Sequence, residues 1–372
     1  MSVGGHRVGR SIVAAAAALL AVSLVLAVGA ASTASAQSGA SGASVPSWLT
    51  DYANKLMTPG VEQALVFVSD KGHQVFASAG SPLPTIDERF LIASVTKGFT
   101  ATIVLQLVQE KKLKLNGTLG HYLPRVMQHG SSITIRELLQ HRSGLRDMFM
   151  DPAVSQMLSA EPPTMSRLGL LREIGKLPLA FRPGSRWKYS NTDYFALGLI
   201  IEKVTRHSYA QQLSSRIFKP LGLHATSPAS GDFWRFAWAA GGLISDVQDV
   251  ARFYQALLSG RLLSKQTLAQ MEQTDPGGAS GFFWATGFTT ARNTYVGDGL
   301  GIFATDAPCG RFWGHGGNTG VIGNDGWITS ASVGAADGRA VIAAVRVQAA
   351  ELNAGTQVWN KADPRPVFCS SF

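Results

Sequence analysis

The hydrophobic pattern that follows Ser94 predicts the helix around which the chain is organised. Downstream of that serine, apolar residues recur at intervals of four with two more beside them: Phe99, Ile103, Leu107, Val104 and Val108. This spacing is typical of a buried helical face. The segment Ser94-Val95-Thr96-Lys97 leads into the run. Because residues three apart lie one helical turn apart, Ser94 and Lys97 are predicted to share a face.

Segments with strand patterns occur before this helix and near the C-terminal end of the chain. Short apolar runs beside turn residues predict strands at 64–68, 74–77, 326–330 and 340–347. Helices are predicted at 48–57, 135–139, 168–177, 194–204 and 209–217. We therefore predict an α+β fold in which an antiparallel sheet is flanked by helices and joined to an all-helical second lobe. The sheet lobe covers about 47–115 and 238–372, and the helical lobe covers about 116–237.

The first 36 residues have the pattern of a secretory signal peptide. Arg7 and Arg10 precede an apolar stretch, and Ala34-Ser35-Ala36 supplies small residues for cleavage before Gln37. We expect cleavage near Ala36 and a secreted protein, with 37–46 as a flexible Ser, Gly and Ala-rich leader. An uncleaved anchor is the alternative, because the apolar stretch is long enough to span a bilayer. No cysteine lies near this site, which argues against a lipoprotein anchor.

Composition narrows the possible functions. The net charge is +9, but the basic residues are scattered with no run longer than Lys111-Lys112, which argues against nucleic-acid binding. The chain has two cysteines, Cys309 and Cys369. An even pair in an exported protein predicts a disulfide. Two cysteines without clustered histidines do not predict a zinc site, and we expect no cofactor.

The pair Ser94 and Lys97 suits nucleophilic catalysis. A serine hydroxyl needs a neighbouring base, and a buried lysine with a lowered pKa can be that base. A helix N-terminus also favours the deprotonated forms and offers N–H groups to a developing oxyanion. By itself the pattern also fits a capping serine followed by a solvated lysine, so the interpretation depends on partners elsewhere.

Two later segments supply candidate partners. Tyr189 and Asn191 point the same way if their segment is extended; Tyr189 can relay a proton to a leaving group, and Asn191 can bond Lys97 or a substrate amide. His315 precedes Gly317 in a predicted strand, where glycine permits a ligand to approach the backbone. His315 would supply a polar or cationic wall. A core tyrosine, a helix N-cap and a loop histidine are the alternatives.

Taken together, these motifs resemble those of the serine penicillin-recognising enzymes. The branch concerned contains class C β-lactamases, D-Ala-D-Ala carboxypeptidases, and related esterases and D-amino-acid peptidases. Its signatures Ser-x-x-Lys, Tyr-x-Asn and His-x-Gly appear in order at Ser94–Lys97, Tyr189–Asn191 and His315–Gly317. Similar segments at 133–145, 217–223 and 240–245 extend the likeness from about Val45 to Cys369. The chain looks most like secreted actinomycete D-Ala-D-Ala carboxypeptidases.

The resemblance implies a β-lactamase/transpeptidase-like fold and an acyl-enzyme on Ser94. The implied catalytic residues are Ser94, Lys97 and Tyr189, and the implied substrate-binding residues are Asn191, His315, Gly317 and Asn318. The oxyanion hole would be formed by the backbone N–H groups of Ser94 and Asn318. The leading expectation is D-alanyl-D-alanine carboxypeptidase activity on peptidoglycan stem peptides, with β-lactams as covalent ligands.

Three departures from the carboxypeptidase pattern bear on the substrate. Gly316 and Asn318 replace the hydroxyl residues of His-Thr-Gly-Thr, and Phe303 stands six residues before Cys309, where the carboxypeptidases carry a carboxylate-binding arginine. The segment between 223 and 238 is short, which predicts an open cleft. Arg292 and Arg311 are candidates to replace the missing arginine.

Several functions therefore stay open at the level of the sequence. Phe303 and the open cleft favour an esterase or a D-amino-acid amidase that acts on small esters or amides. A β-lactamase would need a group that activates the deacylating water, and no residue indicates one. A non-catalytic wall-binding homologue is disfavoured because the four residues Ser94, Lys97, Tyr189 and His315 are present. Either Lys97 or Tyr189 can be the acylation base, and the oligomeric state is open.

Overall fold

The structure is a computed structural model that describes residues 35–37, 45–160, 165–275, 295–319, 325–334, 337–348 and 365–370. The strands are β1 (Ser35–Gln37), β2 (Val61–Asp70), β3 (His73–Gly80), β4 (Phe90–Leu91), β5 (Ser227–Pro228), β6 (Leu243–Ser245), β7 (Tyr295–Asp298), β8 (Phe303–Ala307), β9 (Gly310–Asn318), β10 (Asp325–Gly334) and β11 (Ala340–Gln348). The helices are α1 (Ser47–Leu56), α2 (Thr96–Gln109), α3 (Leu119–Tyr122), α4 (Ile135–Leu139), α5 (Pro152–Ala160), α6 (Arg167–Ile174), α7 (Asn191–Thr205), α8 (Tyr209–Leu213), α9 (Lys219–Leu221), α10 (Asp232–Gly241), α11 (Val247–Leu258), α12 (Lys265–Met271) and α13 (Arg365–Cys369).

Eight strands form one antiparallel sheet in the order β1-β3-β2-β11-β10-β9-β8-β7. The predicted hairpins are confirmed: β2 pairs with β3 up to Asp70 and His73, and β10 pairs with β11. Segments from the two ends of the chain meet in the middle of the sheet, where β2 pairs with β11. The predicted α+β class with an antiparallel sheet is therefore confirmed.

Both faces of the sheet are covered, and alternate residues of β2 belong to two separate apolar cores. Leu65 and Phe67 pack into the larger core, which includes α2 and α11. Val66 and Val68 pack into a smaller core with α1 and with Phe368 of α13. Because successive side chains of a strand point to opposite faces, this alternation makes β2 buried on both sides.

The helix α2 is the most enclosed part of the larger core. The apolar stripe predicted one buried face, but the polar residues Thr96, Lys97, Thr100 and Thr102 are also fully buried. The threonine hydroxyls form hydrogen bonds within the protein: Thr102 donates to the Gly98 carbonyl and Thr100 donates to the Ala239 carbonyl. Such bonding removes most of the cost of burying a hydroxyl. Because of its position on this helix, Lys97 lies in the protein interior.

A second, three-stranded sheet has the order β4-β6-β5. It joins the segment before Ser94 to the segment after α10, since Phe90 pairs with Ser245 and Ile92 donates its N–H to the Leu243 carbonyl. The predicted helical segment 116–237 therefore carries one short strand, β5, among its helices. Among the described residues, no helix is long and apolar enough to cross a membrane.

Local sequence signals account for several helix boundaries. Thr134 and Glu137 form a reciprocal capping box that starts α4 at the predicted residue. The helix predicted at 209–217 is instead divided, because α8 ends at Leu213 and a π-helical turn follows at Ser214–Phe218. Near the chain start, β1 pairs with β3 and contains Ala36, the predicted cleavage point.

The predicted disulfide between Cys309 and Cys369 is present. It joins the turn between β8 and β9 to the end of α13, a sequence separation of 60 residues. Phe368 beside it stacks on Phe312 of β9, with ring centroids 4.5 Å apart. The bond therefore holds the C-terminal helix against the strand that leads to His315.

We predict that replacing both Cys309 and Cys369 by serine lowers the free energy of unfolding by about 4 kcal/mol, as the loop-entropy model gives for a loop of this size. Denaturant unfolding of the purified protein, followed by tryptophan fluorescence, measures this difference. Thiol titration of the denatured, unreduced wild type is the control and should find no free thiol. Equal stability of the two proteins would contradict the prediction.

Candidate active site

Ser94 lies in a 3-10 turn, Ala93–Val95, that runs directly into α2. Ala93 has a φ of 44°, in the left-handed region that a residue with a Cβ rarely adopts. It is buried, with 3% of its surface exposed. Strain of this kind persists only where the surrounding structure imposes it, and it is concentrated at functional sites. The turn therefore presents Ser94 at the start of the helix in a fixed orientation.

Lys97 is completely buried and its amine meets three oxygen atoms. Its Nζ lies 3.0 Å from Ser94 Oγ, 2.8 Å from Asn191 Oδ1 and 2.6 Å from the carbonyl oxygen of Ala240 in α10. A neutral amine has two N–H donors and one lone pair. The two carbonyl oxygens take the two donors, so the lone pair is left for the hydroxyl proton of Ser94. This geometry is that of a base beside a nucleophile.

Electrostatics favour the same assignment. Burial lowers the pKa of Lys97 to about 7, and the carboxyl groups of Asp147 and Asp193 act in the opposite direction to the extent that each is ionised. Near neutral pH, a substantial fraction of Lys97 is therefore uncharged and able to accept a proton.

Tyr189 completes the contacts of the nucleophile. Its hydroxyl donates to Ser94 Oγ at 2.8 Å, and its ring centroid lies 4.8 Å from the Lys97 amine. Burial raises the pKa of Tyr189 above its ordinary value, an effect only partly offset by the hydrogen bond to Ser94. The phenol is therefore protonated at neutral pH and acts as a proton donor in this state.

Asn191 is held by a residue that the sequence did not indicate, Asp147. The Asn191 side-chain amide donates to Asp147 Oδ2 at 2.9 Å, and its backbone N–H donates to the same oxygen. Because the amide nitrogen is committed to the carboxylate, the amide oxygen faces Lys97. Asn191 is the first residue of α7 and is not its N-cap, a position that Ser190 occupies. The only sequence signal for Asp147 is its place just after the family-like segment 133–145.

His315 lies on β9 and is 2% exposed. Its Nδ1 donates to the carbonyl oxygen of Gly316, and its ring packs 4.4 Å from the ring of Phe303, measured between centroids. Burial, followed by the nearby charge of Lys97, lowers the pKa of His315 well below its ordinary value. Of the two expectations for this residue, a polar or a cationic wall, the lowered pKa favours the polar one with a neutral imidazole.

Gly317 brings the backbone of β9 against the segment that precedes the nucleophile. A Cβ on this residue would lie 2.2 Å from the Ile92 carbonyl oxygen, a distance that real side chains do not adopt. The predicted reason for this glycine, close approach of a ligand, is therefore incomplete, because the protein's own backbone occupies the space. Asn318 follows and ends β9, where it pairs with Ile328 of β10.

The structure describes two of the three residues that bear on binding of a substrate carboxylate. Phe303 is buried on β8, where it pairs with Gly314 and packs on His315. Arg311 forms a two-pronged ion pair with Asp306 across the β8–β9 hairpin, and both side chains are exposed. Arg292 lies outside the described residues. At the position of the carboxypeptidase arginine, the described residues therefore place an apolar side chain, Phe303, against His315.

Comparisons with known proteins agree with this geometry. A family model described as Beta-lactamase matches residues 49–349. The chain is 27% identical to the putative penicillin-binding protein PbpX of Bacillus subtilis over 235 residues, which are 57% of this chain and 56% of PbpX. It is 32% identical to Protein flp of Staphylococcus aureus over 171 residues, 42% of this chain. That match spans only a third (33%) of the Staphylococcus protein's length.

Two solved structures resemble the chain over most of its length. A D-stereospecific amidohydrolase from Streptomyces sp. has a TM-score of 0.69 at 27% identity, covering 88% of this chain and 99% of that one. The D-amino acid amidase from Ochrobactrum anthropi SV3 has a TM-score of 0.68 at 24% identity, covering 86% and 99%. The second likeness concerns the fold alone.

We predict that Gly317→Ala lowers kcat by about 100-fold, because the new methyl group must push β9 away from Ile92 and misplace Asn318 relative to Ser94. Initial rates and circular dichroism on the purified variant measure this loss in a folded protein. Gly241→Ala is the matched control: its Cβ would meet Ala93 at an ordinary 3.6 Å. Equal activity of the two variants would contradict the proposed role of the contact.

Proposed function

The chain belongs to the beta-lactamase family of serine hydrolases, and on this premise we propose that it cleaves amide bonds next to a D-amino acid by acyl transfer to Ser94. The observation that carries the proposal is the contact of Ser94 Oγ with both Lys97 and Tyr189, at 3.0 Å and 2.8 Å. One partner is suited to accept the serine proton and the other to donate a proton. Acyl transfer needs both steps.

In the proposed reaction, Ser94 Oγ attacks the substrate carbonyl while Lys97 Nζ accepts the hydroxyl proton. The backbone N–H groups of Ser94 and Asn318 stabilise the oxyanion. The C–N bond then breaks, Tyr189 donates its phenolic proton to the departing nitrogen, and the proton held by Lys97 passes to the Tyr189 phenolate, which returns both groups to their starting states. Water hydrolyses the resulting ester and regenerates Ser94. Neutral Lys97 is the base in this scheme, since the raised pKa of Tyr189 keeps the phenol protonated.

The wall beside His315 supports a substrate whose leaving group is uncharged. Phe303 and neutral His315 pack together where the carboxypeptidases place a cation for the terminal carboxylate. A carboxylate without a charged partner there would lose several kcal/mol of recognition, roughly. An amide or ester group carries no such requirement. The likeness to the Streptomyces D-stereospecific amidohydrolase supports the same substrate class.

D-Alanyl-D-alanine carboxypeptidase activity is the second candidate. It is favoured by the two motifs Ser94-Val95-Thr96-Lys97 and Tyr189-Ser190-Asn191-Thr192, and by the name of the Bacillus relative as a putative penicillin-binding protein. Under either function, we propose that β-lactams acylate Ser94, because their strained amide is attacked by the same machinery. The N-terminal pattern that ends near Ala36 supports secretion as part of this proposal.

We predict that the mature protein releases ammonia from D-amino acid amides faster than it releases D-alanine from a diacetyl-lysyl-D-Ala-D-Ala peptide. The reason is that Phe303 and His315 offer no positive charge to a terminal carboxylate. Parallel assays that include the L-amide measure the preference and its stereochemistry. Ser94→Ala is the control and should lose both activities and covalent labelling by a fluorescent penicillin. Faster release of D-alanine would favour the carboxypeptidase instead.

We predict that the acylation rate rises with pH through about 7, because Lys97 must lose its proton before it can accept the proton of Ser94. Below this pKa the amine is charged and acylation is slow; above it the rate reaches a plateau. Stopped-flow acylation by a chromogenic β-lactam measures the profile. Lys97→Met should abolish acylation, while the exposed control Lys176→Met should retain the profile. A flat profile would contradict the assignment of the base.

A further inference from the structure

Two buried side chains next to Tyr189, His141 and Asp193, have no role in the proposed reaction. His141 and Asp193 are almost completely inaccessible, with 2% and 0% of their surfaces exposed. The His141 ring packs against the Tyr189 ring with centroids 4.3 Å apart. Asp193 lies in the first turn of α7, two residues after Asn191. His141 therefore packs directly against the catalytic tyrosine, and Asp193 contacts His141.

Hydrogen bonds specify the tautomer of His141. The backbone N–H of Ser190 donates to His141 Nδ1 at 3.2 Å. Nδ1 is therefore the nitrogen with the lone pair, and the ring proton is on Nε2. Asp193 Oδ2 lies 3.3 Å from the same Nδ1. An ionised Asp193 carboxylate has only acceptor atoms. Its Oδ2 lone pair would then face the lone pair of His141 Nδ1, with no proton between them. A proton on Asp193 Oδ2 turns the contact into a hydrogen bond, in which the one lone pair of Nδ1 is shared between this O–H and the Ser190 N–H.

The second oxygen of Asp193 fits the same arrangement. Ser143 Oγ donates to Asp193 Oδ1 at 2.5 Å and itself accepts the backbone N–H of Leu145 at 2.9 Å. A carbonyl oxygen of a neutral acid accepts such a bond as well as a carboxylate does. With Oδ1 as the acceptor and Oδ2 as the donor, each carboxyl oxygen has a suitable partner.

Asp147, which also lies near Lys97, provides the contrasting case. It accepts four N–H groups: two from Asn191 and one each from the backbones of Phe149 and Met150. Four donors directed at one carboxyl group are the environment of an ionised carboxylate. The two aspartates therefore have opposite hydrogen-bonding environments, although both lie near the catalytic lysine.

Charges around the network agree with a neutral pair. Burial raises the pKa of Asp193 well above its ordinary value, and Asp147 and Glu137 add to the effect while Ser143 and Lys97 oppose it. Burial likewise lowers the pKa of His141, helped by the charge of Lys97 and opposed by the hydrogen bond with the Ser190 backbone. Besides the two aspartates, Tyr189 and Tyr194 face the Lys97 amine with their rings.

We propose that Asp193 is a protonated acid that donates to His141 Nδ1, and that this neutral pair positions Tyr189 without placing a second negative charge beside Lys97. Asp147 is then the carboxylate that sets the proton affinity of Lys97. An ionised Asp193 would hold the proton on Lys97 more strongly and move the onset of catalysis to higher pH. Asp193 and His141 are positioning residues, and their role in catalysis rests on the acyl-transfer function proposed above.

A spectroscopic test needs no substrate. The infrared difference spectrum of wild type minus Asp193→Asn at neutral pH should contain the carbonyl band of a protonated carboxylic acid, at higher frequency than carboxylate bands. Nitrogen-15 NMR, with His141→Gln to assign the signals, should show a pyridine-type Nδ1 and a pyrrole-type Nε2. A carboxylate band, or a proton on Nδ1, would overturn the proposal whatever the substrate of the protein is.

Three variants test the consequence for the Lys97 profile. Asp193→Asn replaces the acid by a neutral amide whose NH₂ group and oxygen can take the places of the O–H donor and the acceptor, so the pH midpoint of acylation should move by less than about 0.3 unit. Asp147→Asn removes a charge that raises the Lys97 pKa, so its midpoint should fall by about one unit. Asp193→Ala, which cannot donate to His141, should lower the plateau rate by about tenfold, and Asp193→Asn should restore most of it.

Each outcome of this series has a definite meaning. A midpoint that falls in Asp193→Asn as far as in Asp147→Asn would show an ionised Asp193 and overturn the proposal. An Asp193→Asn protein that fails to fold would do the same, because the amide is the mimic of the neutral acid. If the wild-type protein is not acylated at all, the proposed function is rejected. The infrared and NMR results would still decide the protonation of Asp193 in that case.

Discussion

The active site depends on the burial of one amine. Lys97 lies inside the larger core, and its nitrogen contacts oxygen atoms from three separate parts of the chain: the turn at Ser94, the start of α7 at Asn191, and the end of α10 at Ala240. Burial makes the charged form costly, while these contacts make the neutral form well satisfied. A lysine that ordinarily remains charged at neutral pH thereby becomes a base, and every other part of the site is arranged around it.

The fold makes this arrangement possible by bringing distant segments together at backbone level. The small sheet of β4, β5 and β6 fixes the segment before Ser94, and Gly317 lets β9 contact that segment at Ile92. Helix α7 begins at Asn191, whose amide Asp147 orients and whose amide oxygen contacts Lys97. The nucleophile turn therefore packs on strand β9 while its base contacts the start of α7, and a movement of either element would disturb the site.

The two aspartates near Lys97 illustrate how hydrogen-bond partners decide the charge of a buried group. Asp147 accepts N–H donors, whereas Asp193 contacts a nitrogen that already accepts one. Desolvation favours the neutral form of Asp193. In the proposed arrangement, the Asp147 carboxylate moderates the proton affinity of the lysine, while the neutral acid Asp193 supports Tyr189 through His141.

The sequence alone determined the reaction type, because Ser94, Lys97, Tyr189 and His315 occur in motifs whose spacing is set by local helix and strand geometry. It also predicted the central hairpins and the disulfide, which follow from local turn residues and from a single possible pairing of two cysteines. It did not indicate Asp147 or Asp193, since isolated aspartates carry no pattern and gain meaning only from neighbours some 50 residues away. The tertiary structure decided the neutrality of His315, the role of Gly317 and the state of Lys97. These properties come from burial and from contacts between distant segments, which no local sequence pattern records.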